Sequence, residues 1–239
     1  MMKRVFGIFF STLSMYLVTH LIVFLLLPFG LVLAIFNQNK ALRWLKPKFV
    51  DILFLIVGKR IQITGEENLD VGTGYLIISN YPTFYTMFVL MKIFPDAFIV
   101  AKAFISKIPI LGHFMKQIGT VFVDPKKGRS TESIGEALRK GSKAMSILIL
   151  PEGERSPDGS IQRFRRGFVY ILRNSTLDLL PVTLNGFYIL KPMKRFYMNP
   201  FTNLEVRIHK PIPRMIIDQK ADGELIEMAG STIRGSYHP

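Results

Sequence analysis

The sequence contains no cysteine. Disulfides, a thiolate metal site and a cysteine nucleophile are therefore excluded, while the compartment stays open. Acidic side chains are also scarce, with 17 Asp and Glu against 31 Lys and Arg and a formal net charge of +14. Such an imbalance demands an anionic partner or surface. Tryptophan is nearly absent, Trp44 being the only one, and the basic residues are not interleaved with aromatics in a recognisable motif. Nucleic acid is therefore not the expected partner. No internal repeat or low-complexity tract is present.

What is abundant is apolar residues, 49% of the chain, with a mean hydropathy of +0.29. Much of this lies before Gly58. From Val5 to Phe36 there is no full charge, a run about half as long again as the roughly 20 residues that span a bilayer. Pro28, Phe29 and Gly30 sit in its middle, where a helix can kink or break. A cleaved signal peptide fits poorly, because the apolar stretch is too long and no small-x-small site follows. A second segment, Ala41 to Val57, begins basic and turns fully apolar, as an interfacial or re-entrant helix does. Lys40, Arg43, Lys46 and Lys48 beside Ile52 to Val57 suit an anionic bilayer surface. Basic residues are denser after the first segment than before it, which puts the body on the cytosolic side of the membrane. The expected division is a membrane-anchoring part, residues 1–58, and a body, residues 59–239.

Beyond Gly58, short apolar runs alternate with helical stretches. Tyr75 to Ser79, Ala97 to Ala101, Thr120 to Val123, Ser146 to Leu150, Asp178 to Leu184 and Leu204 to His209 read as strands. Helices are expected over Thr83 to Ile93, Ser106 to Ile118, Thr131 to Met145 and Gly167 to Asn174. The pattern implies an α/β fold: a mixed, mostly parallel sheet flanked by helices and preceded by an N-terminal membrane helix or helical hairpin. The polar tail after Ile217 reads as loosely ordered or a short helix.

The most informative stretch is Leu150-Pro151-Glu152-Gly153-Glu154-Arg155-Ser156, directly after a strand. Gly153 lets backbone N–H groups turn toward an anion, Arg155 offers a fork matched to phosphate, and Ser156 a further donor. On physics alone it could equally be a polar turn closed by Pro157-Asp158-Gly159. The segment resembles the Phe-Pro-Glu-Gly-Thr-Arg-Ser motif of the lysophosphatidic acid acyltransferase family. Further blocks follow that family's order. Phe164-Arg165-Arg166-Gly167 resembles its Phe-Lys-Lys-Gly, and Leu180-Pro181-Val182-Thr183 its later Val-Pro-Val element. Upstream, Ala101-Lys102 through Leu111-Gly112 resembles the approach to its second motif. Gly119-Thr120-Val121-Phe122-Val123-Asp124 then resembles its Gly-x-x-Phe-Ile-Asp.

The resemblance implies acyl transfer from acyl-CoA or acyl carrier protein to the hydroxyl of a lysophospholipid, the donor being a co-substrate, with no cofactor and no metal. It implies substrate binding by Asn80, Glu152, Gly153, Arg155 and Ser156. It also implies a His-x-x-x-x-Asp base pair. Here that pair is missing: within Ser79-Asn80-Tyr81-Pro82-Thr83-Phe84-Tyr85-Thr86, the His position holds Tyr81 and the Asp position Thr86. A phenol of ordinary pKa about 10 lacks the basic form near neutrality, and Thr86 has no charge to stabilise an imidazolium. The second motif departs too, with Pro125 for the family's Arg, although Lys126 and Lys127 follow and could reach a phosphate.

Of the four histidines, His20 falls in the apolar run, His238 at the terminus and His209 at a strand end. A lone His113 on a helix is more often packed or solvated than catalytic. Glu152 is a better-placed carboxylate, but a base role would need a raised pKa. Two readings therefore stand: an acyltransferase weakened by the loss of its base, and an inactive lipid-binding relative serving as a sensor, scaffold or partner subunit.

Overall fold

In a computed structural model of the protein, the residues described are 5–14, 16–17, 44, 47–48, 50–52, 54–55, 58–108, 111–117, 120–123 and 145–239. Their strands are β1 (Ile61–Thr64), β2 (Tyr75–Ser79), β3 (Phe98–Lys102), β4 (Thr120–Val123), β5 (Ile147–Ile149), β6 (Asp178–Asn185) and β7 (Leu204–Ile208). The helices that carry the argument are α1 (Tyr85–Ile93), α2 (Leu111–Gln117), α3 (Gly167–Arg173), α4 (Phe187–Leu190), α5 (Arg214–Gln219) and α6 (Asp222–Gly235). The seven strands form one sheet in the order β1-β7-β6-β2-β5-β3-β4. All pairs are parallel except β6 with β7. This is the mixed, mostly parallel α/β sheet that the alternation of strands and helices implied.

The centre of the sheet is apolar on both faces because both are covered. In β2 every residue is buried, and alternate side chains enter different cores. Tyr75 and Ile77 join a cluster with Leu148, Leu180, Val182, Val89, Leu90, Phe187 and Leu190. Leu76 and Ile78 join a second cluster with Leu179, Phe168, Ile171, Leu172, Leu225, Ala229 and Ile233. Thus α1 and α4 cover one face, while α3 and α6 cover the other.

One element departs from the sequence reading, and in the tail the helical alternative holds over the loose one. β1 was not expected; its four residues, Ile-Gln-Ile-Thr, pair only along β7 at the sheet edge. The tail after Ile217 is not loose, for α6 runs 14 residues. Its Leu225, Ala229 and Ile233 recur every four residues and are fully buried. Glu224 accepts the Ala221 N–H at 2.8 Å, capping the helix, and acidic residues in its first turn and Arg234 in its last match the helix dipole. Arg173, ending α3, ties this region down through Asp222 at 3.1 Å and the Ile217 carbonyl at 2.9 Å.

The helix expected over residues 131–145 falls, but for Met145, outside the described residues, as does most of the first apolar run. Of that run, residues 5–14 and 16–17 are helical. They lie against the 196–201 loop: the Thr12 hydroxyl accepts the Met198 N–H at 3.0 Å, and Tyr16 stacks on Phe196 with ring centroids 4.8 Å apart. Among the described residues no helix is long and apolar enough to cross a membrane. In the second apolar segment, Val50 and Phe54 are buried in the body's first core, while Trp44, Ile52 and Leu55 are exposed.

Candidate active site

The parallel strands β2 and β5 both end at one edge, the usual location for ligand sites in open α/β sheets. At that edge the loop after β5 meets the residues after β2. Glu152 is the joint, a carboxylate only 3% exposed. Its Oε1 accepts the Tyr81 N–H at 2.6 Å and its Oε2 the Gln162 N–H at 2.8 Å. The Ser156 N–H in turn donates to the Tyr81 carbonyl at 2.8 Å. Burial pushes the Glu152 carboxyl up to about 7, against the pull of the Gln162 and Tyr81 N–H groups.

Gly153 follows with φ 74°, the left-handed region, where a Cβ would also come within 3.0 Å of the Arg165 guanidinium carbon. Only glycine suits both demands. Glu154 takes Lys102 and Arg165 each at 3.4 Å, so the loop's outward carboxylate is shared between two cations. Arg155 is exposed. Its charge is felt by two neighbours: it pulls against the burial that raises the Tyr81 phenol, and it adds to the burial that lowers the Lys191 ammonium. The guanidinium is therefore near enough for its charge to act on both Tyr81 and Lys191.

The remaining residues singled out in the sequence have other partners. Ser156 is buried; its hydroxyl donates to the Ser160 carbonyl at 2.7 Å and accepts the Gly159 N–H at 2.9 Å, closing the Pro157-Asp158-Gly159 turn. Asn80 is buried and pairs reciprocally with the Leu184 backbone, Nδ2 to its carbonyl at 3.0 Å and its N–H to Oδ1 at 2.8 Å, locking β2 to β6. Thr86 is fully buried in the first turn of α1, where its hydroxyl receives the Thr83 N–H at 3.4 Å. Lys126 and Pro125 lie outside the described residues. His113 is exposed on α2, and the His209 ring bonds the Thr183 hydroxyl at 2.8 Å. Among the described residues no group of three or more His, Asp or Glu could hold a metal ion.

Three residues near the loop were not singled out in the sequence. Gln162 supplies a backbone N–H, which no side-chain pattern reports. Lys191 follows a four-residue helix and carries no motif. Tyr237, near the terminus, donates its hydroxyl to the Gly159 carbonyl at 2.7 Å. Burial, then the negative charge of Glu152, pushes this phenol up to about 12.

The site thus offers an exposed guanidinium beside a half-buried phenol, on a loop fixed by a buried carboxyl. A sequence model described as acyltransferase matches residues 60–185, more than half of the 239 residues. The chain belongs to the acyltransferase family. Among curated relatives, it is 28% identical over 215 residues to the chloroplastic 1-acyl-sn-glycerol-3-phosphate acyltransferase of Arabidopsis thaliana, covering 88% of this chain and 60% of that protein. It is 28% identical over 191 residues to the 1-acyl-sn-glycerol-3-phosphate acyltransferase of Saccharomyces cerevisiae, covering 77% and 62%. This acyltransferase-family chain therefore spans about three fifths of the length of these relatives. The crystal structure of the 1-acyl-sn-glycerophosphate acyltransferase of Thermotoga maritima superposes with a TM-score of 0.82 over 97% of this chain and 95% of that one, at 21% identity. At that identity the likeness is one of fold.

Proposed function

We propose that this acyltransferase-family protein holds a lysophospholipid by its phosphate at Arg155, at a membrane surface, and transfers acyl groups weakly if at all. In the reaction that the site is built around, the lysolipid hydroxyl attacks a thioester carbonyl. An ester forms, the carbon–sulfur bond breaks, and the hydroxyl proton must pass to a base while the thiol leaves. The observation that carries the reading is the state of the base position. Burial holds the Tyr81 phenol above its ordinary 10.0 despite Arg155, so near neutrality it keeps its proton. Losing a general base costs about 10² to 10⁴ in rate, while proximity of the two substrates could sustain residual turnover.

Arg155, with its forked and permanently charged donors, is the phosphate ligand in this reading, and Lys126 is assigned as a second cation. Gly153 shapes the loop, and Glu152, Ser156 and Asn80 hold it in place. Residues 1–58 act as the membrane anchor of a body formed by residues 59–239, on the cytosolic side. The exposed side chains of Val5, Phe6, Phe9, Phe10 and Leu13 support contact with lipid.

The second reading is an active enzyme in which Glu152 takes the proton, favoured by its value of about 7. Against it, both carboxylate oxygens already hold backbone N–H groups. The test is an acyl-transfer assay on detergent-purified protein with lysophosphatidic acid and acyl-CoA or acyl carrier protein donors. Wild type, Arg155→Ala and Tyr81→His with Thr86→Asp are run in parallel. Turnover by wild type at the 1 to 10³ per second ordinary for enzymes, roughly, and dependent on Arg155, would overturn the proposal.

A further inference from the structure

Beside the loop but outside the residues just assigned lies a cleft of about 540 Å³, lined by Arg163, Phe164, Arg165, Arg166, Gly223, Ile226, Glu227 and Arg234. Four guanidinium groups face one carboxylate. That carboxylate, Glu227, is bonded to Arg234 at 2.9 Å. Glu154 reaches Arg165 at 3.4 Å but shares its oxygen with Lys102. Arg163 and Arg166 have no carboxylate partner among the described residues. Like charges gathered this way repel one another and raise the local concentration of anions.

Two of the cations pack against glycine backbone: a Cβ on Gly153 would meet the Arg165 guanidinium carbon at 3.0 Å, and one on Gly230 would meet the Arg234 Nη2 at 2.8 Å. The first three arginines come from the segment entering α3 and the fourth from the last turn of α6, so the charges stand on two walls. Both elements are anchored in one core through Phe168 and Ile233. The apolar part of the lining is Phe164, which is buried, and Ile226, which is half-buried. The cleft's volume is that of a small-molecule site, typically about 300 to 1,000 Å³.

We propose that this cleft binds a small organic bisphosphate or polyphosphate of the nucleotide class. Guanidinium forks on the two walls would take the phosphates, and Phe164 with Ile226 would take the organic part. The lining includes neither Arg155 nor Tyr81, so the site is separate from the lysophospholipid site, although the Arg165–Gly153 contact joins them. Such a ligand has two possible sources: the nucleotide end of a thioester donor, which rests on the transfer reading above, or a free nucleotide.

The experiment uses the full chain in detergent and titrates adenosine 3′,5′-bisphosphate by calorimetry, with orthophosphate as the single-charge comparison. Saturable binding is expected, tighter for the bisphosphate. It should weaken at least about ten-fold in Arg163→Gln with Arg166→Gln, and again in Arg234→Gln, while Arg155→Ala leaves it unchanged. Circular dichroism melts establish that the variants fold, and Arg163→Lys with Arg166→Lys, keeping charge without the fork, should fall between wild type and the Gln pair. Binding of coenzyme A that matches and displaces the bisphosphate assigns the donor as source, whereas adenosine triphosphate binding ten-fold tighter than coenzyme A assigns a free nucleotide. No saturable binding, binding lost only with Arg155→Ala, or equal affinity for orthophosphate and bisphosphate would each overturn the proposal. Since Arg155→Ala weakens lysophosphatidic acid binding about 10- to 100-fold in the first reading but spares the cleft, the two readings fail separately.

Discussion

The carboxylate of Glu152 reaches across 71 residues of sequence to accept the N–H of Tyr81 at 2.6 Å. With its other oxygen on Gln162, one side chain joins the end of β2, the loop after β5 and the approach to α3. A buried carboxylate so placed is costly unless its oxygens are bonded, and here both are. The glutamate that heads the loop after β5 therefore works first as the element that fixes where Tyr81 stands, through its N–H.

That burial gives the protein a signed pH dependence. The folded value of Glu152, about 7, lies above its ordinary 4.5, so folding takes up a proton between these values. The contribution to stability is fully present below about 4.5 and is lost as pH rises through about 7. Its full size is on the order of 3 kcal/mol. Thermal midpoints measured from pH 4.5 to 8 should fall for wild type and stay flatter for Glu152→Gln. Glu152→Gln should also be less stable at the acid end, because an amide NH₂ cannot accept one of the two N–H groups. Parallel slopes for the two proteins would exclude this origin.

Arg155 should matter to ligand and hardly to fold. It is exposed, so Arg155→Ala should alter stability by no more than about 0.5 kcal/mol. Removing a charge-assisted bond to phosphate costs about 1.5 to 3 kcal/mol, which is about 10- to 100-fold in affinity. Lysophosphatidic acid binding to nanodiscs should fall by that factor, and Arg155→Lys should recover only part of it. Binding of the uncharged monoacylglycerol should not change.

The sheet was legible because its strands are short β-branched runs at regular spacing, and Tyr75 to Ser79 and Thr120 to Val123 coincide with β2 and β4. β1 was not, since four residues of alternating Ile and polar type are indistinguishable from a loop until β7 pairs with them. α6 hid behind its composition: Leu225, Ala229 and Ile233 form a proper stripe, but a small Ala in a polar tail is a weak signal. At the site, Arg155 and Glu152 were visible as motif residues. Ser156 was visible as a motif residue too, but its closing of the Pro157-Asp158-Gly159 turn was not, because a hydroxyl that closes a turn and one that donates to a ligand look alike in sequence. Lys191 and the Gln162 N–H were invisible, one lacking a motif and the other being backbone.

Phe54 tests where the body begins. It precedes Gly58, yet it is 2% exposed and packs edge-on to Tyr85 and Phe187, each with ring centroids 6.2 Å away. Phe54→Ala should cost about 3 to 5 kcal/mol, as for other buried rings. The neighbouring Leu55→Ala, at 67% exposure, should cost little. Urea unfolding of both variants in the same detergent separates a core residue from an exposed one. If Leu55 costs as much as Phe54, this segment is held by its outer face instead.

Thr86 gives the sharpest check on the missing base pair. It is fully buried, so Thr86→Asp alone places a carboxyl where no cation is assigned, and it should destabilise by about 3 to 5 kcal/mol. Tyr81→His alone exchanges a half-buried phenol for an imidazole and should cost less. If the site still brings positions 81 and 86 together, the imidazolium and carboxylate bond, and the double variant is more stable than the sum predicts, by about 1 to 3 kcal/mol. The same pairing should lift acyl transfer by about 10² or more over wild type. Strict additivity in stability with no gain in turnover would mean that the groove itself, not only its base, has been rebuilt.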